Sequence, residues 1–420
     1  MTSPFDVRST HRKRLPWSFL RQRYNHTAVM ENPEYHLETV ATRFDWRDAG
    51  ATDAGDVVSP IHLTTTHEMR APGDADHGYK YTRFDNPTRD ALETRLARLS
   101  GAEHAIACAS GTAAMAATCL SVVEAGDHVV AFDGIYGGTR VLFEELLADS
   151  LGVTVEYVDA TDVDAVNEAV TDETTLVWME SPTNPLLRLC DLSAVADIAA
   201  SVDATYVVDN TFATPYFQRP LAHGADMVVH STTKYLNGHS DSMGGVVLTN
   251  DEAAADDVTH TQSYDLGGTL APFDCYLTLR GLRTFPLRMD RHESNAAEIA
   301  TYLADHPATV QVNYPGLESH PQHELATHQM DGFGGIVSFE LDATGAETRA
   351  VLEELDVFTL AVSLGGTESL ADHPATMSAS YLSDEERAAA GISDSLVRIP
   401  VGVEHVDDLR GDLEAALAKL

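Results

Sequence analysis

From residue 104 onward the chain alternates short β-rich runs with helical stretches, and this alternation limits the possible folds more than any other feature. "HAIACAS" leads into "GTAAMAATCLSVVEAG", followed by "DHVVAFD", "VTVEYVDA", "TTLVWMESP", "ATYVVDNTF", "ADMVVHSTT" and "GGVVLTN". Most runs are bounded by Gly, Asp or Pro. The stretches between them, such as "DLSAVADIAASV", leave room for crossover helices. The pattern predicts an α/β domain with a largely parallel sheet. After about residue 285 the texture changes to "AAEIATYLADHPATVQVNYPG", "GGIVSFELDATGAETRAVLEEL" and "SLVRIPVGVEHVDDLRGDLEAAL", which reads as a smaller C-terminal α+β domain. Residues 30–86 show little periodicity and carry "GYKYTRFDNPT", which suggests an arm. The expected organisation is a basic extension at 1–29, an arm at 30–86, a large domain at 87–285 and a small domain at 286–420.

A parallel sheet binds ligands beyond the carboxyl ends of its strands. The positions of interest are therefore Ser110-Gly111-Thr112, Asp133 to Gly138, Glu180 to Asn184, Asp209-Asn210 and Ser231 to Lys234. In "ASGTAAMAA" the helix start offers free N–H groups and a positive dipole end suited to a phosphate, although plain capping explains the same residues. In "VVDNTF" Asp209 leaves an apolar strand either as an Asx turn or as a buried anion facing a cation, such as a protonated ring nitrogen. In "MVVHSTTKYLNGHSD" Lys234 stands among hydroxyl side chains. A lysine desolvated there loses basicity and becomes a nucleophile able to form a Schiff base. A solvated surface lysine is the bland reading, but lysine is scarce: only Lys13, Lys80, Lys234 and Lys419 occur.

That scarcity belongs to a wider charge bias. With 65 acidic and 27 basic residues the formal net charge is -38, and such self-repulsion loosens a compact fold in dilute buffer. At molar salt the screening length falls to about 3 Å, so the composition suggests a halophilic cytoplasm. Nucleic acid and anionic membrane are excluded as partners on the same charge argument. Residues 1–29 differ: six basic residues against Asp6 alone give a net +5, leaving -43 for residues 30–420. The simplest account is an upstream start choice, with Met30 beginning the folded protein. Cys108, Cys119, Cys190 and Cys275 show no C-x-x-C spacing, nothing suggests a metal site, and no apolar run reaches membrane-spanning length. The expectation is a reduced, soluble, cytoplasmic protein.

The motifs "YTRFDNPT", "ASGTAAM", "YGGT", "ESPTNP", "VVDNTF", "HSTTKYLNGHSD", "SLGGTESL" and "LVRIPVGVE" occur in the order in which the γ-family of fold-type I pyridoxal-phosphate enzymes carries their counterparts. The chain resembles that family from about residue 35 to its C-terminus. The family includes cystathionine γ-synthase, cystathionine γ-lyase, methionine γ-lyase and O-acetylhomoserine sulfhydrylase. The resemblance implies an aspartate aminotransferase-like fold, pyridoxal 5'-phosphate as cofactor, residues 87–285 as the cofactor-binding domain, and γ-replacement or γ-elimination on a homoserine-derived amino acid. It implies Lys234 as the amine that bonds to the cofactor and shuttles protons, and Asp209 as partner of the pyridine nitrogen. The Gly111 and Thr112 amides, Ser231 and Thr233 would hold the phosphate, with Tyr81 and Arg83 of a neighbouring subunit. Tyr136 would stack on the ring and help activate substrate, Asn184 would contact the phenolic oxygen, and Arg398 with Ser363 would clamp the substrate carboxylate. Alone, Arg398 in "SLVRIP" is as readily a salt bridge to one of the many acids. A homodimer is the implied minimum, and a homotetramer is usual.

The chain departs from each subtype it resembles. Val362 precedes the "SLG" serine where cystathionine synthases and lyases commonly have Glu, while methionine γ-lyases and sulfhydrylases tend to resemble this chain there. Yet Gly138 and Tyr264 stand where methionine γ-lyases typically carry Cys and Lys. The family's frequent "MTH" reads "MSA" at Met377 to Ala379. The expectation is therefore a transsulfuration enzyme of cystathionine γ-synthase or γ-lyase type. Methionine γ-lyase or O-acetylhomoserine sulfhydrylase comes second, and a non-catalytic acidic scaffold remains a distant third.

Overall fold

A computed structural model describes residues 35–42, 56–72 and 78–420. The expected basic extension at 1–29 and the start at Met30 lie outside the described residues. Seven strands form the main sheet: β1 (His104–Cys108), β2 (His128–Phe132), β3 (Thr154–Val158), β4 (Thr174–Glu180), β5 (Thr205–Asp209), β6 (Met227–His230) and β7 (Gly245–Thr249). Their spatial order is β1-β7-β6-β5-β4-β2-β3. The central strands are buried on both faces, which is why "TTLVWME" and "TYVVD" run apolar without alternating. β3, β2, β4, β5 and β6 pair in parallel, joined by crossover segments that contain helices. β7 is reversed and pairs antiparallel with both β6 and β1. Residues 231–244, which join it to β6, form turns and no helix, so the chain returns beside the strand it left.

The C-terminal part adds β8 (Thr309–Asn313), β9 (Ile336–Leu341), the two-residue β10 (Thr359–Leu360) and β11 (Leu370–Ala371), and β12 (Leu396–Pro400). β12, β9 and β8 form an antiparallel sheet in that order. One hydrophobic cluster gathers the large sheet and another this small one. The helix Phe285–Ala304 serves both: Phe285 and Met289 lie in the first cluster, Ala296, Ile299, Ala300 and Leu303 in the second.

The arm-like segment has more local order than its sequence shows. Thr66 bridges Tyr81, His67 N–H donates to Lys80 O (3.1 Å), and Thr82 N–H donates to Thr65 O (2.9 Å). "DNPT" then starts a helix by simple chemistry. Asn86 caps it by accepting from Thr88 N–H at 2.9 Å, Pro87 occupies the first turn, and Gly101 ends it in the left-handed region at φ 67.

Candidate active site

Lys234 lies in the loop between β6 and β7, tethered where its N–H donates to Ser231 O (3.3 Å) and its carbonyl accepts from Gly238 N–H (2.8 Å). Its Nζ donates to Ser363 Oγ at 2.8 Å. Burial, and then the charge of Arg398, lower its pKa to about 8, so the neutral amine is far more abundant near physiological pH than on a solvated lysine. Ser363 sits at φ 100, a conformation that costs a non-glycine residue of order 1–3 kcal/mol. Contacts on two sides hold it there, since its hydroxyl accepts from Lys234 and its carbonyl from Arg398 Nη2 at 3.2 Å.

Arg398, on β12, is 2% exposed. Its Nη1 donates to Asn184 Oδ1 at 2.9 Å, and its Nη2 pairs with Asp372 Oδ2 at 2.9 Å. The salt bridge considered for this residue therefore exists, beside Ser363 and within reach of Lys234's charge. Asp372 continues β11 and exchanges backbone hydrogen bonds of 2.9 Å with Arg398, and Ser378 Oγ donates to its Oδ2 at 2.5 Å. Arg398 Nε is buried without a hydrogen-bond partner among the described residues.

Asp209 ends β5 with 3% exposure. Its Oδ1 accepts from Thr211 N–H (3.0 Å) and Thr211 Oγ1 (2.6 Å), so the Asx turn is present, while its Oδ2 has no hydrogen-bond partner among the described residues. Nor does a cationic side chain pair with it among them, and burial pushes its pKa up to about 6. Thr211 Oγ1 in turn accepts from Ser231 N–H at 2.9 Å. Ser231 packs against Gly111 so closely that a Cβ there would lie 2.9 Å from Ser231 Cβ, which restricts position 111 to glycine. Ser110 caps the helix Gly111–Val122 by accepting from Ala113 N–H at 3.0 Å. The amides of Gly111 and Thr112 remain without hydrogen-bond partners among the described residues, so cap and anion cradle coexist. Thr233 is adjacent, but its hydroxyl donates to Gly244 O (3.1 Å) and accepts from Gly244 N–H (3.0 Å).

Tyr136, half-exposed, follows β2; Asn184 follows β4. Their amides converge on one carboxylate that sequence reasoning did not single out: Tyr136 N–H donates to Glu180 Oε2 at 2.6 Å and Asn184 N–H to Oε1 at 3.1 Å. A Cβ at Gly138 would sit 2.4 Å from Tyr136 Cε1, so the bare glycine makes room for that ring. Asp372 was also missed. The pull of Arg398 toward some acid was the available signal for it; for Glu180 the signal was its place at a strand exit. Tyr81 and Arg83 form a separate group. Arg83 Nη1 donates to Ser263 O at 2.7 Å, and its guanidinium lies over the Phe84 ring, 4.4 Å from the centroid. None of the hydrogen bonds or ring contacts of either residue reaches the cradle or Lys234.

The gathered residues fit pyridoxal 5'-phosphate. Two free helix amides and the Ser231 hydroxyl suit a phosphate, Asp209 without a counter-cation suits a protonated ring nitrogen, and an amine of lowered basicity suits an aldehyde. Comparison with known proteins agrees. Residues 39–418 match the model of the Cys/Met metabolism PLP-dependent enzyme family. The cystathionine beta-lyase of Coxiella burnetii is 48% identical, with 92% of this chain and 99% of the relative covered. The cystathionine gamma-lyase of Dictyostelium discoideum is 45% identical, covering 87% and 94%. The crystal structure of cystathionine gamma synthase from Xanthomonas oryzae pv. oryzae in complex with aminoacrylate and cysteine superposes with a TM-score of 0.89 at 42% identity, covering 92% and 99%. With nearly its whole length matched, the chain belongs to the Cys/Met metabolism PLP-dependent enzyme family.

Proposed function

We propose that this enzyme acts in transsulfuration, breaking or exchanging the bond at the γ-carbon of a homoserine-derived amino acid, in the manner of a cystathionine γ-synthase or γ-lyase. The observation that carries the reading is the Lys234 amine, of lowered basicity, joined through Ser363 to Arg398. Base and carboxylate clamp are thereby linked through one residue. Bound pyridoxal phosphate supplies an electron sink for the charge left when a substrate carbon loses its proton. Gly111, Thr112 and Ser231 hold the phosphate, with Thr233 beside them, and Asp209 keeps the ring nitrogen charged. Arg398 orients the substrate by its carboxylate. The neutral Lys234 amine takes the proton at Cα and, once it has given that proton up again, swings on its flexible stem to take one at Cβ, which lets the γ-substituent leave.

Val362, 57% exposed beside Ser363, favours the second reading at one position, since methionine γ-lyases and O-acetylhomoserine sulfhydrylases tend to share it. Gly138 and Tyr264 favour the first. The enzyme is proposed to be cytoplasmic, salt-requiring and at least a homodimer, usually a homotetramer, with Tyr81 and Arg83 completing the neighbour's phosphate site. The contacts of Arg83 with Ser263 and Tyr264, rather than with the cradle residues, support this arrangement.

The test is product analysis. Protein purified in high salt is incubated with O-acetyl- or O-succinylhomoserine plus cysteine or sulfide, and separately with cystathionine and with methionine. The expected products arise at the γ-carbon, borohydride fixes the cofactor to Lys234, and Lys234→Ala abolishes turnover. Products of β-cleavage or transamination alone overturn the γ-assignment. Normal turnover by Lys234→Ala overturns the mechanism, and unchanged cofactor affinity in Arg83→Ala overturns the shared site.

A further inference from the structure

The exits of β2 and β4 are held by Glu180, whose side chain takes no part in the chemistry above. It is 4% exposed, accepts one N–H on each oxygen, and lies opposite Asp209 in the β4–β5 register. We propose that Glu180 is a positioning residue: one buried carboxylate fixes the backbones of Tyr136 and Asn184 together and, through Asn184, the guanidinium of Arg398, registering all three against Asp209.

The chain of contacts is continuous. Glu180 holds the amide of Asn184 (3.1 Å), and the Asn184 side chain accepts from Arg398 (2.9 Å). On the other side it holds the amide of Tyr136 (2.6 Å), whose ring the family resemblance would set against the cofactor. Only a carboxylate offers two acceptors at this length, because an amide would turn one oxygen into a donor facing an N–H. The choice is costly. Two buried acids sit on neighbouring strands, and burial together with the charge of Asp209 raises the pKa of Glu180 well above normal. A site selected for stability alone has no reason to keep two acids side by side in the interior.

The inference rests on the proposed function and is tested in holoenzyme with the amino acid that the wild-type protein turns over. Glu180→Gln keeps the shape and loses one acceptor. It is expected to lower kcat/KM by about ten- to hundredfold, with a raised KM, and to change the visible circular dichroism of the bound cofactor. Combined with Asn184→Ala, the two losses are expected to fall well short of multiplying, since Glu180 reaches Arg398 through the Asn184 side chain that the second change removes. Unchanged kcat/KM and dichroism in Glu180→Gln, with any effect confined to the melting temperature, overturn the inference. Fully multiplicative losses do the same. Glu180→Ala is the harsher companion, and if it does not fold the glutamine variant alone decides. A wild-type protein that takes up no cofactor overturns the functional reading and this inference together, whereas a working wild type beside an equally competent Glu180→Gln overturns only the inference.

Discussion

The basicity of Lys234 sets a pH dependence whose sign follows from its cause. Burial lowers its pKa from 10.5 to about 8, so below that pH the buried amine carries a proton and cannot attack an aldehyde. Capture of pyridoxal phosphate by the apo-protein should quicken about tenfold per unit as pH rises toward 8, then level off, as stopped-flow absorbance would record. A rate still climbing steeply at pH 10 would place the amine in solvent instead. Asp372→Asn makes a second prediction, because it leaves the Arg398 guanidinium buried without a counter-charge. Denaturant unfolding should show a loss of about 3–5 kcal/mol, while Ser378→Ala should cost only about 1 kcal/mol. Lys234, Asp209 and Arg398 were legible because each is a charged residue where an apolar run ends or within one. Asp372 was not, and Glu180 only as part of a strand exit without a role, because their partners are distant in sequence: Asp372 meets Arg398 across the join of β11 to β12, and Glu180 meets the amide of Tyr136 on another strand's exit.

Among elements, the cradle depends on how the start of the helix Gly111–Val122 meets the loop after β6. Gly111→Ala introduces a Cβ 2.9 Å from that of Ser231, so one of the two must retreat. Cofactor affinity of the apo-protein, measured by fluorescence titration, should weaken about tenfold while the helix itself persists. An unchanged affinity would mean that these amides do not face the phosphate. The strands were readable as apolar runs and their sheet as largely parallel. The reversal of β7 was not, because direction depends on whether the intervening segment makes a helix, and residues 231–244 read equally well as an irregular crossover. The pairing of residues 64–67 with 80–82 escaped for a related reason, as so short a bridge leaves no period to detect.

For the whole molecule, a net charge of -38 implies self-repulsion that added salt would screen. Raising potassium chloride from 0.1 M to 2 M should lift the melting temperature by roughly 10 °C, read by scanning calorimetry. A flat profile would leave the acidic composition without the salt explanation.

The helix Phe285–Ala304 belongs at one end to the core under the large sheet and at the other to the core under the small one. Such a shared beam makes any recombination point at its start unsafe, even though the sequence texture changes there. A hybrid enzyme built by exchanging C-terminal portions with a relative would have to leave the beam whole on the host chain and cut beyond Ala304. It would also have to choose its donor so that both ends of the graft meet side chains of the shapes found here.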